Sequence, residues 1–472
     1  MISALAQHGR YFRRYSIIRR TVRLVSTVLC PPSDVLRHAY INKQLLCIND
    51  VISSHKGYDD ISGMVCHAGQ HKQQQQQQVE QQRNAVDSWV ELLLPFSTSD
   101  SLREAMLKFD RKTIRYGKLF ELIDALAGDV GYRHVGLHCG PNESESSASD
   151  FYVVTASVDG MLAFADVSAH EDLKLQGYVT WVGSSSMEVQ INIIQAPSVG
   201  SDRLIGSTQF IMVARERLTG QAYKVPGLDA VPEDLQLGHA RSNARKGLAR
   251  QSLNILPPNA GEIEEMHSLF LKSQFLKLQK RALVNNNSSV TDLRSRLQGL
   301  ERGGTDLISS APKPFKYMKH TTMSTTQIMH YQNRNVHGKV FGGFLLRIGF
   351  EIGFIAASCF FQTESLCRFH SVDDVQFVRP ADVGSFMEFE ATAIFSKGRF
   401  LVVAVEVNDI DISTSFKSKT NSFSFVFSCD DESRVKDVMP RDYSEFIRHL
   451  EGRRVLDRLH GAELQAGQDN MS

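Results

Sequence analysis

The chain has no cysteine cluster, no excess of either charge and no clean apolar run of membrane-spanning length. Its seven cysteines (Cys30, Cys47, Cys66, Cys139, Cys359, Cys367 and Cys429) are odd in number and scattered over 472 residues. Without a C-x-x-C pair or a Cys/His ligand spacing, neither a disulfide framework nor a zinc site is supported. No metal and no cofactor is implied, and a reducing compartment fits. The formal net charge of +1 gives no argument for nucleic acid or an anionic membrane as partner. The greasiest stretch, GFLLRIGFEIGFIAASCFF, carries Arg347 and Glu351 near its middle. A spanning helix needs about 20 mostly apolar residues, so this one reads as a buried helix with no integral membrane role. Also missing is a G-x-S-x-G elbow. Cys359 and Cys367 have no evident paired base, which argues against a cysteine nucleophile.

The hydrophobic content of 42% supports sizeable cores in two or three domains. Residues 1–30 hold Arg10, Arg13, Arg14, Arg19, Arg20 and Arg23, and the first acidic residue is Asp34. Arginine-rich, serine-bearing and acid-free, this opening reads as a mitochondrial transit peptide for the matrix; a disordered basic tail is the alternative. Residues 31–85 contain the run Gln73 to Gln78 and read as a disordered, Gln-rich spacer.

From there the chain repeats itself. GKLFELIDALAG begins at Gly117 and GKVFGGFLLRIGFEIG at Gly338. SVDG at Ser157 echoes SVDD at Ser371. VTWVGSSSMEVQINI parallels ATAIFSKGRFLVVAVEV, each a pair of strands around a small-residue turn. STQFIMVARE and NSFSFVFSC supply a last strand. The expected architecture is α+β, with a long helix in each half wrapped by an antiparallel sheet. The boundaries expected are 86–230 for the first domain and 311–430 for the second. Between them 231–310 reads as a mostly helical linker, and 431–472 as a helical tail. The basic stretch with Arg241, Arg245, Lys246 and Arg250 is a solvated helix face or a phosphate contact.

NRNVHGKVFGG, the helix after it and VDDVQFVRPADVGS resemble the hotdog-fold acyl-CoA thioesterases, from about residue 100 to 445. The resemblance implies two fused hotdog domains and hydrolysis of acyl-CoA to free acid and coenzyme A. It also implies a homo-oligomer of such pairs. The fold alone does not imply that chemistry, since dehydratases and non-catalytic binders share it.

Thioester hydrolysis needs donors aimed at the carbonyl oxygen and a base for water. Free N–H groups at a helix start supply the first, and glycine removes the Cβ that would block approach. The resemblance therefore puts Gly343, with Gly342, at the start of the buried helix facing the thioester; tight packing there is the alternative. It places the family's Asn at Asn335 and the family's Asp at Asp124, one from each half. Asp124 would be the base, its pKa raised by burial, and Asn335 would orient water or carbonyl. Taken singly, Asp124 also fits a structural polar residue. In the repeat Ile114 stands where Asn335 does, and Phe350 stands opposite Asp124, so one competent site per chain is expected. His337 reads as a packing residue beside the substrate-binding set; the alternative makes it the catalyst, as in a hydratase or dehydratase. A non-catalytic acyl-CoA binder is a third reading. The turns with Gly183, Ser184 and Ser185, and with Lys397 and Arg399, are expected to help hold the nucleotide end of coenzyme A; plain hairpin turns are the alternative.

Overall fold

The structure, a computed structural model, describes residues 82–136, 151–163, 167–197, 200–229, 236, 238–243, 257–284, 314–335, 339–363, 366–377 and 379–469. The expected transit peptide, the glutamine run, most of the basic stretch and His337 lie outside the described residues.

The chain divides into two compact units. The first takes 1–239 together with 328–347 and 376–385; the second takes 240–327, 348–375 and 386–472. The first unit thus borrows two short pieces from the second half of the sequence, and these carry the Phe-Gly-Gly motif.

In the first unit, β1 (Val90–Leu94) and α1 (Asp100–Met106) precede the long helix α2 (Tyr116–Val135). Strands β2 (Phe151–Ala163), β3 (Asp172–Val182), β4 (Ser186–Ala196) and β5 (Arg203–Glu216) follow, in the spatial order β1-β3-β4-β5-β2. Strand β3 alternates strictly between buried and half-buried residues, as a sheet with one face on a core requires. The helix on that face buries every residue except Gly128 and Arg133. It ends on Gly136 at φ 110°, a left-handed cap whose N–H returns to Tyr132 and Arg133 carbonyls. Helix and sheet meet closely at Gly177, where a Cβ would fall 2.8 Å from Val130 of α2.

The second unit is built by the same rules. Helix α3 (Ala260–Val284) comes first, then β6 (Met323–Ile328) and the helix α4 (Gly342–Phe361), whose body from Ile348 onward lies in this unit. Strands β7 (Cys367–Phe377), β8 (Phe386–Lys397), β9 (Phe400–Ile410) and β10 (Lys417–Cys429) follow, in the order β6-β8-β9-β10-β7. That order repeats the first unit strand for strand. Among the described residues α4 is long and apolar enough to cross a membrane, yet most of it is buried. Gly349 lets it approach the sheet, because a Cβ there would sit 2.6 Å from the Phe423 ring. Each unit is therefore a long helix held against a five-stranded antiparallel sheet, the hotdog arrangement expected.

Two features were not legible beforehand. Arg83–Asn84 pairs in parallel with Leu228–Asp229, and Phe315–Tyr317 with Asp437–Met439. Each short pairing ties a segment ahead of a unit's sheet to the segment beyond it. The tail forms α5 (Tyr443–Asp469), and it is more than an appendage. Gly452 presses on Phe395 of β8, Phe446 meets Phe270, and Arg454 grips Glu262 of α3 through both carboxylate oxygens at 2.8 and 2.7 Å.

Candidate active site

The site is built where the start of α4 meets the middle of α2, both within the first unit. The segment before α4 is fixed by backbone bonds. Val340 N–H donates to Ala381 at 2.9 Å, and Phe341 N–H to Asn333 at 2.9 Å. They deliver Gly342 and Gly343 to the side of α2. There the N–H of Gly343 donates to Asp124 Oδ2 at 2.6 Å.

No larger residue fits at that contact. A Cβ on Gly343 would fall 2.9 Å from the Glu121 Cα and 3.0 Å from the Asp124 Cβ. One on Gly342 would fall 3.3 Å from both Asp124 Oδ2 and the Phe377 ring. The paired glycine thus serves close backbone approach. The group it approaches in this structure is the Asp124 carboxylate itself. Gly343 N–H is occupied, whereas Gly342 N–H, at the head of the helix where intrahelical partners are lacking, meets no acceptor among the described residues.

Asp124 is 4% exposed. Its second oxygen, Oδ1, accepts from Thr155 Oγ1 at 2.6 Å. Burial raises its pKa to about 6, against the lowering effect of the Thr155 and Gly343 hydrogen bonds. The carboxyl is therefore ionised at neutral pH and well placed to take a proton. Thr155 is the residue that sequence reasoning missed. It sits in β2 beside a break in register between Thr155 and Ser157, a bulge of the kind that re-aims a side chain. Nothing in local sequence marks that bulge.

Asn335 belongs to the same unit. Its backbone N–H donates to Lys339 O at 2.6 Å, and its side-chain Oδ1 accepts from Lys339 N–H at 3.1 Å. These bonds close the loop that leads into α4, with Asn335 at its entrance.

The counterpart of Asn335 in the first half needs correcting. Three bonds recur in both halves. Lys108 N–H to Thr113 matches Asn335 to Lys339, Arg115 to Met106 matches Phe341 to Asn333, and Ile114 to Val167 matches Val340 to Ala381. Asn335 thus corresponds to Lys108, not Ile114, and Gly117 to Gly343, not Gly338. The loop from Lys108 to Thr113 is one residue longer than that from Asn335 to Lys339, which shifts an ungapped comparison. Ile114 corresponds to Val340, and both are buried core. The substitution of the amide holds all the same, by lysine.

Asp124 and Phe350 stand at matching positions of their helices. Each lies eight residues beyond the first residue of its helix, Tyr116 or Gly342. Phe350 packs edge-on against Phe369 and Phe425, at 5.2 and 5.6 Å between ring centroids.

The two turns expected to hold the nucleotide end are hairpin connections, one in each unit. Gly183 N–H donates to Ser186, and the Ser184 and Ser185 carbonyls accept from Val225 and Ala214. A side chain at Gly183 would strike Ser186 Oγ and the Trp181 ring, at 2.8 and 2.9 Å. Lys397 and Arg399 are exposed around Gly398, whose φ is 56°. Arg399 stacks over Phe400.

No known family model matches the chain. It is similar to mitochondrial acyl-coenzyme A thioesterase 9 of Bos taurus, 29% identical over 377 residues, 79% of this chain and 78% of that protein. It is likewise similar to chloroplastic acyl-coenzyme A thioesterase 2 of Humulus lupulus, 29% identical over 388 residues, 78% of each. A solved acyl-CoA hydrolase from Staphylococcus aureus aligns at 21% identity and a TM-score of 0.31, covering 33% of this chain and 96% of that one.

Proposed function

We infer that the chain belongs with the acyl-CoA thioesterases that it resembles over 79% of its length. It is an acyl-CoA thioester hydrolase: acyl-CoA and water give free acid and coenzyme A. The observation that carries the site assignment is the buried Asp124 carboxyl between Thr155 and Gly343, with the Gly342 N–H, unpartnered among the described residues, one residue away.

Asp124 acts as general base. At neutral pH its carboxylate is ionised, and each oxygen keeps a lone pair beyond the one bonded to Gly343 or Thr155. A water in reach of that carboxylate loses its proton as its oxygen bonds the thioester carbon. Charge moves onto the carbonyl oxygen. The Gly342 N–H is the donor for it and the positive end of α4 adds to its field; the Gly343 N–H is engaged by Asp124. The carbon–sulfur bond then breaks, and the proton held by Asp124 passes to the departing thiolate. Asn335 orients the water or the carbonyl from the loop entrance. Phe350 replaces the acid in the second helix, so the chain has one competent site.

The arginine-rich start supports import into an organelle, as do the mitochondrial and chloroplastic names of the relatives. Its composition favours the mitochondrial matrix. Assembly into a homo-oligomer is proposed from the family resemblance. The test of function is release of free thiol from short, medium and long acyl-CoAs by the purified chain. Turnover in any class supports the reading; tight binding without thiol release would make the protein a non-catalytic binder.

A further inference from the structure

Glu121 is a buried carboxylate that the hydrolytic step above does not use. It lies one turn before Asp124 on the same face of α2. Its Oε1 is 2.7 Å from Arg347 Nε, and its Oε2 accepts from Lys118 Nζ at 3.1 Å. The side chains of Glu121, Lys118 and Arg347 are 4%, 10% and 14% exposed. The Arg347 Nε–H is not aimed along the line to the carboxylate, so this contact is an ion pair and not a hydrogen bond. Arg347 also stacks over Phe344, 5.0 Å from its ring centroid. Glu121 and Arg347 each stand five residues beyond the start of their helix.

We propose that Glu121 is a positioning residue for Asp124: by holding Arg347 it sets the amino end of α4 against α2, and so sets where Asp124 meets the α4 backbone. This rests on the thioesterase reading above. Gly343 and Arg347 are one turn apart on α4. The two helices are therefore fastened twice along one line, Gly343 to Asp124 and Arg347 to Glu121. Between these fastenings the Gly343 backbone already touches the Glu121 Cα, with no room for a side chain. A slip at the ion pair therefore carries the glycine pair away from Asp124.

The contact that the ion pair guards is the one that acts on the acid. Asp124 is held by Thr155 from β2 and by the Gly343 N–H from α4; Met212 of β5 touches Thr155. The Gly343 hydrogen bond lowers the Asp124 pKa against the effect of burial. Losing either partner of the ion pair frees the glycine pair, removes that bond and raises the pKa.

The test titrates the Asp124 carboxyl by 13C NMR in the full chain, assigned by its loss in Asp124→Asn. The expected result is displacement the same way: Glu121→Gln and Arg347→Met both move the pKa up, each by roughly one unit, because both lose the Gly343 N–H. Arg347→Lys, which keeps the ion pair, stays near wild type. In thiol release both charge-removing variants lose kcat at least tenfold, with KM little changed. Should Arg347→Met fail to fold, Arg347→Gln breaks the same pair and gives the upward displacement instead. Folded variants whose Asp124 titration does not move, or moves in opposite directions as a bare charge effect would, overturn the proposal. Upward displacements in a chain that releases no thiol would instead sink the thioesterase reading and leave the positioning of Asp124 standing.

Discussion

The N–H of Gly343 donates to the Asp124 carboxylate at 2.6 Å, across 219 residues of sequence. One bond thus joins a glycine at the head of one helix to an acid in the middle of another. With a pKa near 6, Asp124 is protonated below that pH and ionised above it, and under the proposed base role its ionisation governs the rate. The kcat/KM for acyl-CoA hydrolysis should rise about tenfold per pH unit below 6 and level off above 7. A profile already flat from pH 5 would show that another group is the base.

Replacing the acid should separate stability from activity. The folded pKa of Asp124 is raised from 3.8 to about 6, so the folded chain binds its proton more tightly than the unfolded chain. The resulting penalty is absent below pH 4, grows as pH rises through 6 and is full above it. It amounts to on the order of 3 kcal/mol. Asp124→Asn keeps an acceptor for Gly343 and offers a donor to Thr155 Oγ1. It should raise Tm at pH 7.5, with little gain at pH 4, and lower kcat by roughly 10²–10⁴-fold. Thermal melts at the two pH values and a thiol-release assay check both halves.

The two glycines should differ in kind. Gly343→Ala drives a methyl into the Glu121 backbone at 2.9 Å, where nothing yields. Overpacking of that type costs about 1–3 kcal/mol, and both Tm and activity should fall. Gly342→Ala meets an oxygen and a ring edge at 3.3 Å. It should keep the fold within about 1 kcal/mol and lose kcat, because the methyl crowds the approach to the Gly342 N–H. Urea unfolding beside single-turnover hydrolysis would distinguish the pair.

Phe350 tests the single-site reading. Phe350→Leu trims a buried ring from the cluster with Phe369 and Phe425 and should cost about 1–3 kcal/mol. The folded fraction should hydrolyse acyl-CoA at the wild-type kcat. Calorimetric titration with a non-hydrolysable acyl-CoA analogue should count one site per chain. Two sites per chain would contradict the account.

Much of this was legible because the chain is written twice. The long buried helices declared themselves through GKLFELIDALAG and FGGFLLRIGFEIG, and the strand pairs through alternation around VGSSS and SKGR. Asp124 stood out as a charge in an apolar helix, and Gly342-Gly343 as a costly pair at a helix start. What escaped had physical reasons. Thr155 reaches the acid only because a bulge turns it, and a bulge leaves no periodic trace. The Glu121–Arg347 pair joins residues far apart in sequence that each read as a polar interruption of an apolar helix. An ungapped comparison sets Ile114 opposite Asn335 because one extra loop residue shifts the register, a slip that only the backbone bonds at Lys108 reveal. The two-residue strand at Arg83–Asn84 is too short for any pattern.

The most direct test of the central claim is thiol release from one acyl-CoA at pH 8 by the wild-type chain and by Asp124→Asn, compared at equal folded concentration under single turnover. The account predicts turnover by the first and a loss of at least a hundredfold in the second, with acyl-CoA still bound. Hydrolysis by Asp124→Asn at the wild-type rate would contradict it.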